Sequence, residues 1–96
     1  MLLSVIIPAY NEESTIAEIL ERVKAVQLPS GLEKEIVVVN DGSKDKTPQV
    51  LAQYEGQTNI TIIHQPNSGK TTALLTGIKK AKGDILLVQD ADLEYD

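Results

Sequence analysis

The sequence has 96 residues, of which 42% are hydrophobic and 24% are charged, and its formal net charge at pH 7 is −5. A chain of this length forms one domain at most and buries only about two-thirds of its surface. Because the sequence contains no cysteine, disulfides, thiolate zinc sites and cysteine nucleophiles are excluded. The negative charge disfavours nucleic acid as a partner, since such proteins carry a basic face.

The hydropathy of the chain disfavours a membrane span. Its longest apolar runs, at residues 36–39 and 85–88, are strand-sized and far below the roughly 20 residues that cross a bilayer. Residues 1–7 have no basic segment and lead directly into Pro8, which is untypical of a secretory signal. We therefore expect the chain to be cytoplasmic.

The first strand and helix are predicted from a change in periodicity. Residues 2–7 form a continuous apolar run typical of a buried strand, and Pro8 is expected to end it. A helix is then predicted to begin within 11–14 and to finish before Pro29, because apolar residues recur at the spacing of one helical face. These residues are Ile16, Ile19, Leu20 and Val23.

The same alternation repeats in the middle of the chain. Residues 36–39 predict a second buried strand, which ends in a turn at 40–43. Thr47 is predicted to be the N-cap of a second helix, with Pro48 at its first position. A third strand is predicted at 60–63.

A third helix and a fourth strand complete the pattern. Ser68 is expected to cap the helix, Gly77 to mark a close packing contact, and Gly83 to stop the helix. The predicted buried face of this helix consists of Leu74, Leu75, Ile78 and Ala81. The fourth strand is predicted over 84–89.

Alternating helices and apolar strands predict an α/β fold with three layers, α/β/α, around a mainly parallel four-stranded sheet. Ligands of such folds bind beyond the carboxyl ends of the strands, so the loops after the strands define the candidate site. These loops contain Tyr10, Asn11, Glu12, Asp41, Ser43, Asn67, Lys70, Asp90 and Asp92.

Asp90 and Asp92 are the most informative residues of these loops. In an extended segment, residues two apart point the same way, so the two carboxylates can converge. Two close anions require a cation or a hydrogen-bond network, and hard oxygen ligands favour Mg²⁺ or Mn²⁺. Alternatively, Asp90 ends a strand and Asp92 caps a helix, and the pair alone does not decide between these interpretations.

The loops after the first two strands suit a nucleotide, although each has a simpler explanation. Asp41 can accept hydrogen bonds from a base or a ribose, but Asp-Gly is also a strong turn signal. Residues 8–12 contain no glycine, which disfavours a dinucleotide-binding loop of the Gly-x-Gly-x-x-Gly kind. Tyr10 could stack on a base and Glu12 could accept a hydrogen bond from it. Equally, Tyr10 could be only a partly buried residue at the rim of the sheet, and Glu12 only an acidic residue in the first turn of a helix.

An alternative function is that of a domain that binds and hydrolyses nucleoside triphosphates. Residues 68–72 resemble the end of a P-loop, and Lys70 is a candidate for phosphate contact. However, the P-loop requires glycine where His64 stands, and Pro66 has no N–H for a phosphate. A non-catalytic binding domain is a third possibility.

Four segments taken together resemble the family-2 glycosyltransferases, in order and in spacing: 5–12, 39–43, 67–70 and 90–92. The similarity extends over the whole chain and is closest to the polyprenyl- or dolichyl-phosphate sugar transferases, on the basis of residues 89–96 and of the Gly-Lys-x-x-Ala-Leu pattern at 69–74. It implies the nucleotide-sugar-binding, Rossmann-like half of a GT-A fold. Leu75 departs from the pattern, because the lipid-phosphate enzymes commonly carry arginine there.

The resemblance implies a nucleotide-diphosphate-sugar donor, linked to UDP or GDP, and an acceptor that is a lipid phosphate or a glycan. The residues expected at the nucleotide sugar are Pro8, Tyr10, Glu12, Asp41, Ser43, Lys70 and Asp90. The residues expected at Mg²⁺ or Mn²⁺ are Asp90 and Asp92.

Family members are considerably longer than this chain, so the resemblance implies that residues 1–96 are a truncated N-terminal portion. The acceptor site, any general base and any membrane-associated part are then expected beyond Asp96. We expect the chain to bind a nucleotide diphosphate with little or no transfer of its own. We also expect self-association through an unpaired sheet edge.

Overall fold

The computed structural model describes residues 1–91, in which strands and helices alternate strictly. The strands are β1 (Leu2–Ala9), β2 (Glu33–Asp41), β3 (Ile60–Gln65) and β4 (Ile85–Val88), and the helices are α1 (Ile16–Ala25), α2 (Thr47–Ala52) and α3 (Lys70–Lys80). The four described strands form one parallel sheet in the order β3-β2-β1-β4. The predicted α/β fold is confirmed.

The two central strands are buried on both faces, which explains their unbroken apolar sequences. Val5 and Val38 belong to a hydrophobic cluster with Leu20 of α1 and Leu51 of α2. Neighbouring residues of β2 point the other way, and Val39 belongs to a second cluster on the side of α3. The sheet therefore lies between two helical layers.

Helix α3 packs on the sheet through its smallest residues. Ala73 and Gly77 are buried, whereas Leu75 is 53% exposed and Ile78 is 41% exposed. A Cβ atom added to Gly77 would lie 2.5 Å from Cγ2 of Ile6. The close contact predicted at Gly77 is confirmed. The predicted apolar face is wrong at Leu75 and Ile78, because the helix approaches the sheet so closely that only small side chains fit between them.

The element boundaries differ from the prediction near two prolines. Strand β1 continues through Pro8, which pairs in register with Val39, because the neighbouring strand still runs alongside at that point. Helix α1 begins at Ile16, later than predicted, and α2 begins at Thr47 itself, one position before Pro48.

Two hydroxyl groups that were predicted to cap helices make other contacts instead. Thr47 Oγ1 accepts a hydrogen bond from the N–H of Glu12 at 2.9 Å. Ser68 Oγ donates to the carbonyl of Pro66 at 2.6 Å, and the N-cap position of α3 is taken by Gly69. Both predictions were wrong because other hydrogen bonds, with another loop for Thr47 and within its own loop for Ser68, compete with helix capping for the hydroxyl group.

Strand β4 lies at an edge of the sheet and is poorly covered. Its four side chains, Ile85, Leu86, Leu87 and Val88, are between 43% and 51% exposed. Within residues 1–91, the helices are too short or too polar to cross a membrane.

Candidate functional site

The carboxyl ends of the four strands surround one open cleft with a volume of about 390 Å³. This volume lies in the range of small-molecule sites. Each strand contributes to the cleft through its end or the loop that follows it. Six residues expected at the nucleotide sugar line it, namely Pro8, Tyr10, Glu12, Asp41, Lys70 and Asp90, together with Ala9, Asn67, Gly69, Ala73 and Ala91.

Asp41 ends β2 and is buried among hydrogen-bond donors from the loop before α3. Its Oδ1 accepts from Gln65 Nε2 at 2.9 Å and from the N–H of Ser68 at 2.8 Å. Its Oδ2 accepts from the N–H of Gly69 at 3.0 Å and from Asn67 Nδ2 at 3.2 Å. Burial acts to raise the pKa of Asp41, but the hydrogen bonds stabilise the anion and bring the pKa below its ordinary value. Asp41 therefore holds this loop in place as a carboxylate.

The loop that resembles a P-loop is thus wrapped around a carboxylate of the protein. The backbone N–H groups of Ser68 and Gly69, which would face phosphate in a P-loop, both donate to Asp41. Gly69 has a φ of 97°, a conformation that favours glycine and turns the chain into α3. The local geometry therefore differs from that of a phosphate-binding P-loop.

The loops after β1 and β2 are joined by hydrogen bonds around Asn11. The N–H of Asn11 donates to Ser43 Oγ at 3.0 Å, and Asn11 Oδ1 accepts from the N–H of Lys44 at 2.8 Å. The N–H of Glu13 donates to Asp45 Oδ2 at 3.2 Å. These bonds fix the backbone on either side of the cleft-lining residues of this loop. Among residues 1–91, Ser43 does not itself belong to the cleft lining.

Lys70 and Asp90 meet at the mouth of the cleft. Lys70 is the first residue of α3, Asp90 follows β4, and Lys70 Nζ donates to Asp90 Oδ1 at 2.7 Å. Both side chains are 63% exposed. An ion pair this exposed contributes about 1 kcal/mol or less to the stability of the protein, so a charged ligand can displace it.

The chemistry of the cleft fits a hard divalent cation that is shared with a ligand. Asp90 supplies one exposed carboxylate, and its predicted partner, Asp92, lies outside the described residues. Within residues 1–91, acidic and histidine side chains form no cluster of three or more that would hold a metal. Mg²⁺ is commonly bound by one or two carboxylates, with phosphate oxygens and water completing its shell.

The segment that follows β4 is anchored to the body of the protein. The N–H of Gln89 donates to the carbonyl of Ile6 at 2.9 Å. Ala91 is 4% exposed and belongs to the hydrophobic cluster of α1 and α2. Its carbonyl accepts a hydrogen bond from Thr15 Oγ1 at 2.7 Å.

Sequence reasoning placed Asn11 and Asn67 in the loops of the candidate site and Thr47 at a helix N-cap, but it missed that these residues, together with Thr15, hold the loops together. Their partners lie far away in the chain, 26 residues for Asn67 and 76 residues for Thr15. Locally, such residues look like ordinary turn and cap residues. An Asn or Thr beside a strand end is the only signal, and it does not identify the partner.

Comparison with known proteins gives a consistent result. The model of glycosyl transferase family 2 matches residues 4–96. The undecaprenyl-phosphate 4-deoxy-4-formamido-L-arabinose transferase of Pseudomonas aeruginosa is 40% identical over 96 residues, an alignment that covers 97% of this chain and 28% of that protein.

Two solved structures resemble the fold closely. The crystal structure of Staphylococcus aureus TarS 1–349 in complex with UDP-GlcNAc has a TM-score of 0.83 and 35% identity, covering 96% of this chain and 27% of that one. The mannosyltransferase from Pyrobaculum calidifontis in complex with GDP-Man and Mn²⁺ has a TM-score of 0.83 and 33% identity, covering 94% of this chain and 27% of that one. This chain therefore spans less than a third of the length of each of these three proteins.

Proposed function

Because this chain belongs to glycosyl transferase family 2, we propose that it binds the nucleotide-diphosphate-sugar donor of a sugar transfer reaction. The observation that carries the proposal is the single cleft at the carboxyl edge of the sheet, where loops after all four strands converge. The complexes of the two similar structures with UDP-GlcNAc and GDP-Man support UDP or GDP as the nucleotide.

The base and ribose are proposed to lie against the loops after β1 and β2. Tyr10 is 41% exposed at the cleft, so its ring is available for stacking. Pro8 and Glu12 line the cleft beside it and supply an apolar and a carboxylate contact, while Asp41 lines it and holds the loop before α3 in place. Ser43 supports this region through its bond to the loop after β1.

The diphosphate is proposed to lie between α3 and the segment after β4. Asp90, together with Asp92, would hold Mg²⁺ or Mn²⁺, and Lys70 would leave its ion pair with Asp90 to contact the phosphates. A bound cation supplies charge neutralisation at the departing nucleoside diphosphate. Such compensation is needed because the protein itself carries a net charge of −5.

A polyprenyl phosphate is the proposed acceptor, supported by the name of the P. aeruginosa relative. With such an acceptor, the complete enzyme would work at the cytoplasmic surface of a membrane. The chain covers less than a third of the P. aeruginosa relative, and we propose that residues 1–96 bind donor and transfer little or no sugar on their own.

The alternative of a P-loop hydrolase loses its basis with the family assignment. The loop that suggested it donates its N–H groups to Asp41. We expect no ATP turnover that depends on Lys70, and an activity lost in Lys70→Ala would restore this alternative.

Calorimetric titration with UDP and with GDP, in the presence and absence of Mn²⁺, tests the proposed function. We expect binding that strengthens with Mn²⁺ and loses this enhancement in Asp90→Asn. Glu33→Gln is the matched control, because it removes an exposed carboxylate at the opposite end of the sheet. Binding that ignores Mn²⁺, or an equal loss in both variants, would refute the role of Asp90.

Self-association is a separate proposal, with a second copy of this chain as the partner. Among the described strands, β4 has an open edge, and its apolar side chains are exposed. Such an edge is a template for pairing with a strand of another chain. Light scattering should show a dimer that Leu87→Lys disrupts, and a monomer at millimolar concentration would rule this out.

A further inference from the structure

Thr15 has an unusual position for a residue at the start of a helix. It occupies the N-cap of α1, where a threonine hydroxyl ordinarily accepts a hydrogen bond from a backbone N–H of the first turn. The structure shows no such bond from this side chain. Thr15 Oγ1 instead lies 2.7 Å from the carbonyl oxygen of Ala91 and 3.2 Å from Glu12 Oε2.

The shorter of these contacts identifies the direction of the hydroxyl proton. A hydroxyl has one proton to donate, and a carbonyl oxygen can only accept, so the 2.7 Å contact is Thr15 Oγ1–H donating to Ala91. The helix thereby gives up a side-chain cap in favour of a bond that crosses 76 residues of sequence.

Ala91 is the residue between the two acids of the metal pair. It is 4% exposed and packs in the cluster of α1 and α2, whereas the side chain of Asp90 beside it is 63% exposed. Burial of the Ala91 methyl group and the bond to its carbonyl together fix the orientation of this peptide segment. That orientation fixes the peptide that joins Asp90 to Ala91, and with it the point from which the Asp90 side chain projects at the cleft.

We propose that Thr15 is a positioning residue for Asp90: its hydroxyl holds the Ala91 carbonyl, so that the adjoining Asp90 carboxylate stays at the cleft. This inference rests on the proposed donor-binding function. Thr15 touches neither donor nor cation in the proposal. It links the loop after β1, where Glu12 lines the cleft, to the segment after β4.

The test uses three variants of the 96-residue chain. Thr15→Val keeps the shape of the side chain and removes the hydroxyl, and Thr15→Ser keeps the hydroxyl. Thr61→Val is the matched control, because Thr61 is an exposed residue of β3 and valine suits a strand. Calorimetry with UDP and GDP, with and without Mn²⁺, gives the metal-dependent part of the affinity for each variant.

We expect Thr15→Val to lose about three- to tenfold of the Mn²⁺-dependent affinity, the range that corresponds to one hydrogen bond. Its metal-free affinity should stay within about twofold of wild type, because the base and ribose contacts are unchanged. Thr15→Ser and Thr61→Val should behave like wild type. Full Mn²⁺ enhancement in Thr15→Val, or a loss in Thr15→Ser equal to that in Thr15→Val, would overturn the proposal.

Amide hydrogen exchange followed by NMR separates this inference from the proposed function. Thr15→Val should accelerate exchange and shift the amide resonances at Asp90 and Ala91 more than elsewhere, with no nucleotide or metal present. If wild type shows no Mn²⁺ effect while these changes occur, the donor-binding function fails and the anchoring by Thr15 stands. If Asp90 and Ala91 are unaffected, the positioning role is wrong.

Discussion

Asp41 ends the parallel strand β2, Asp90 follows the parallel strand β4, and both line the same cleft, yet their surroundings are opposite. Asp41 is 4% exposed and accepts hydrogen bonds from side chains and backbone of the loop before α3. The side chain of Asp90 is 63% exposed and pairs with Lys70. The first carboxylate organises the protein, and the second is available to a ligand.

The difference follows from the place of each strand in the sheet. Strand β2 has neighbours on both sides, so the loops that follow it and its neighbours close over its last residue. Among the strands of residues 1–91, β4 has a neighbour on one side only, and it exposes its side chains. The central strand β2 therefore ends in a buried carboxylate with its hydrogen bonds satisfied, and β4 is followed by an exposed one.

The largest expected effect is a difference in stability between the two variants in which one of these acids is replaced by its amide. Asp41→Asn places an NH₂ group against buried donors and should lower the free energy of unfolding by about 3 kcal/mol. Asp90→Asn should leave it unchanged within error, because its ion pair is exposed. Urea denaturation of both variants measures the contrast. Equal destabilisation would remove the distinction between the two sites.

The dependence of stability on pH in the acid range also distinguishes Asp41 from Asp90. Burial acts to raise the pKa of Asp41, but hydrogen bonds outweigh it and the folded pKa lies below the ordinary value. The unfolded chain therefore binds more protons below about pH 4. The stabilisation is complete above the unfolded pKa and is lost as the pH falls through the folded pKa.

We expect Asp41→Asn to flatten the loss of stability between about pH 5 and pH 2. Part of the loss should remain, because the pKa of Asp45 is also lowered by hydrogen bonds that outweigh its burial. Urea midpoints at several pH values give this profile. If Asp41→Asn lost stability at acid pH as the wild type does, groups other than Asp41 would be responsible for the acid dependence.

An intermediate effect is expected from Lys70, which lies on the open side of the cleft. Lys70→Met should weaken UDP or GDP binding about three- to tenfold, because one charge opposite the diphosphate is lost. Stability should be unaffected. Lys79→Met, at the far end of the same helix, is the control. Matching losses in both variants would indicate a general effect of charge, with no specific role for Lys70.

The smallest effect is expected from Ser43, which was predicted to contact the nucleotide sugar. Ser43→Ala removes the acceptor for the N–H of Asn11 and should lower the free energy of unfolding by about 1 kcal/mol. Nucleotide affinity should change by less than about twofold. A large loss of affinity with unchanged stability would instead support direct contact between Ser43 and the ligand.

Most of the architecture was predictable because it depends on short-range patterns. Unbroken apolar strands alternating with helices require a parallel sheet with two covered faces, and that sheet brings the loop residues to one edge. Gly77 indicated a close contact between α3 and the sheet, because glycine destabilises a helix interior and is therefore expected only where a larger residue does not fit. The buried face of α3 was mispredicted for a related reason. Hydrophobicity alone predicted that Leu75 and Ile78 are buried, but the helix lies so close to the sheet that the small Ala73 is buried instead.

The hydrogen bonds that shape the cleft were not predictable. Thr47 and Ser68 carry the local signature of caps, but the Thr47 hydroxyl bonds to the loop after β1 and the Ser68 hydroxyl bonds within its own loop. Asp41 was identified as a cleft residue from its position at the end of a strand. Its hydrogen bonds, however, come from residues 24 to 28 positions away in the chain. Such partners are determined by topology and leave no mark in the local sequence.

The central claim is that the loops after four strands form one binding cleft for a nucleotide diphosphate. Titration of isotope-labelled protein with UDP or GDP and Mg²⁺, followed by backbone amide shifts, tests it most directly. We predict shifts at Tyr10, Glu12, Gly69, Lys70 and Asp90, with residues 32–35 and 82–84 at the opposite end of the sheet unchanged. Shifts confined to that opposite end, or no saturable shifts at all, would contradict the claim.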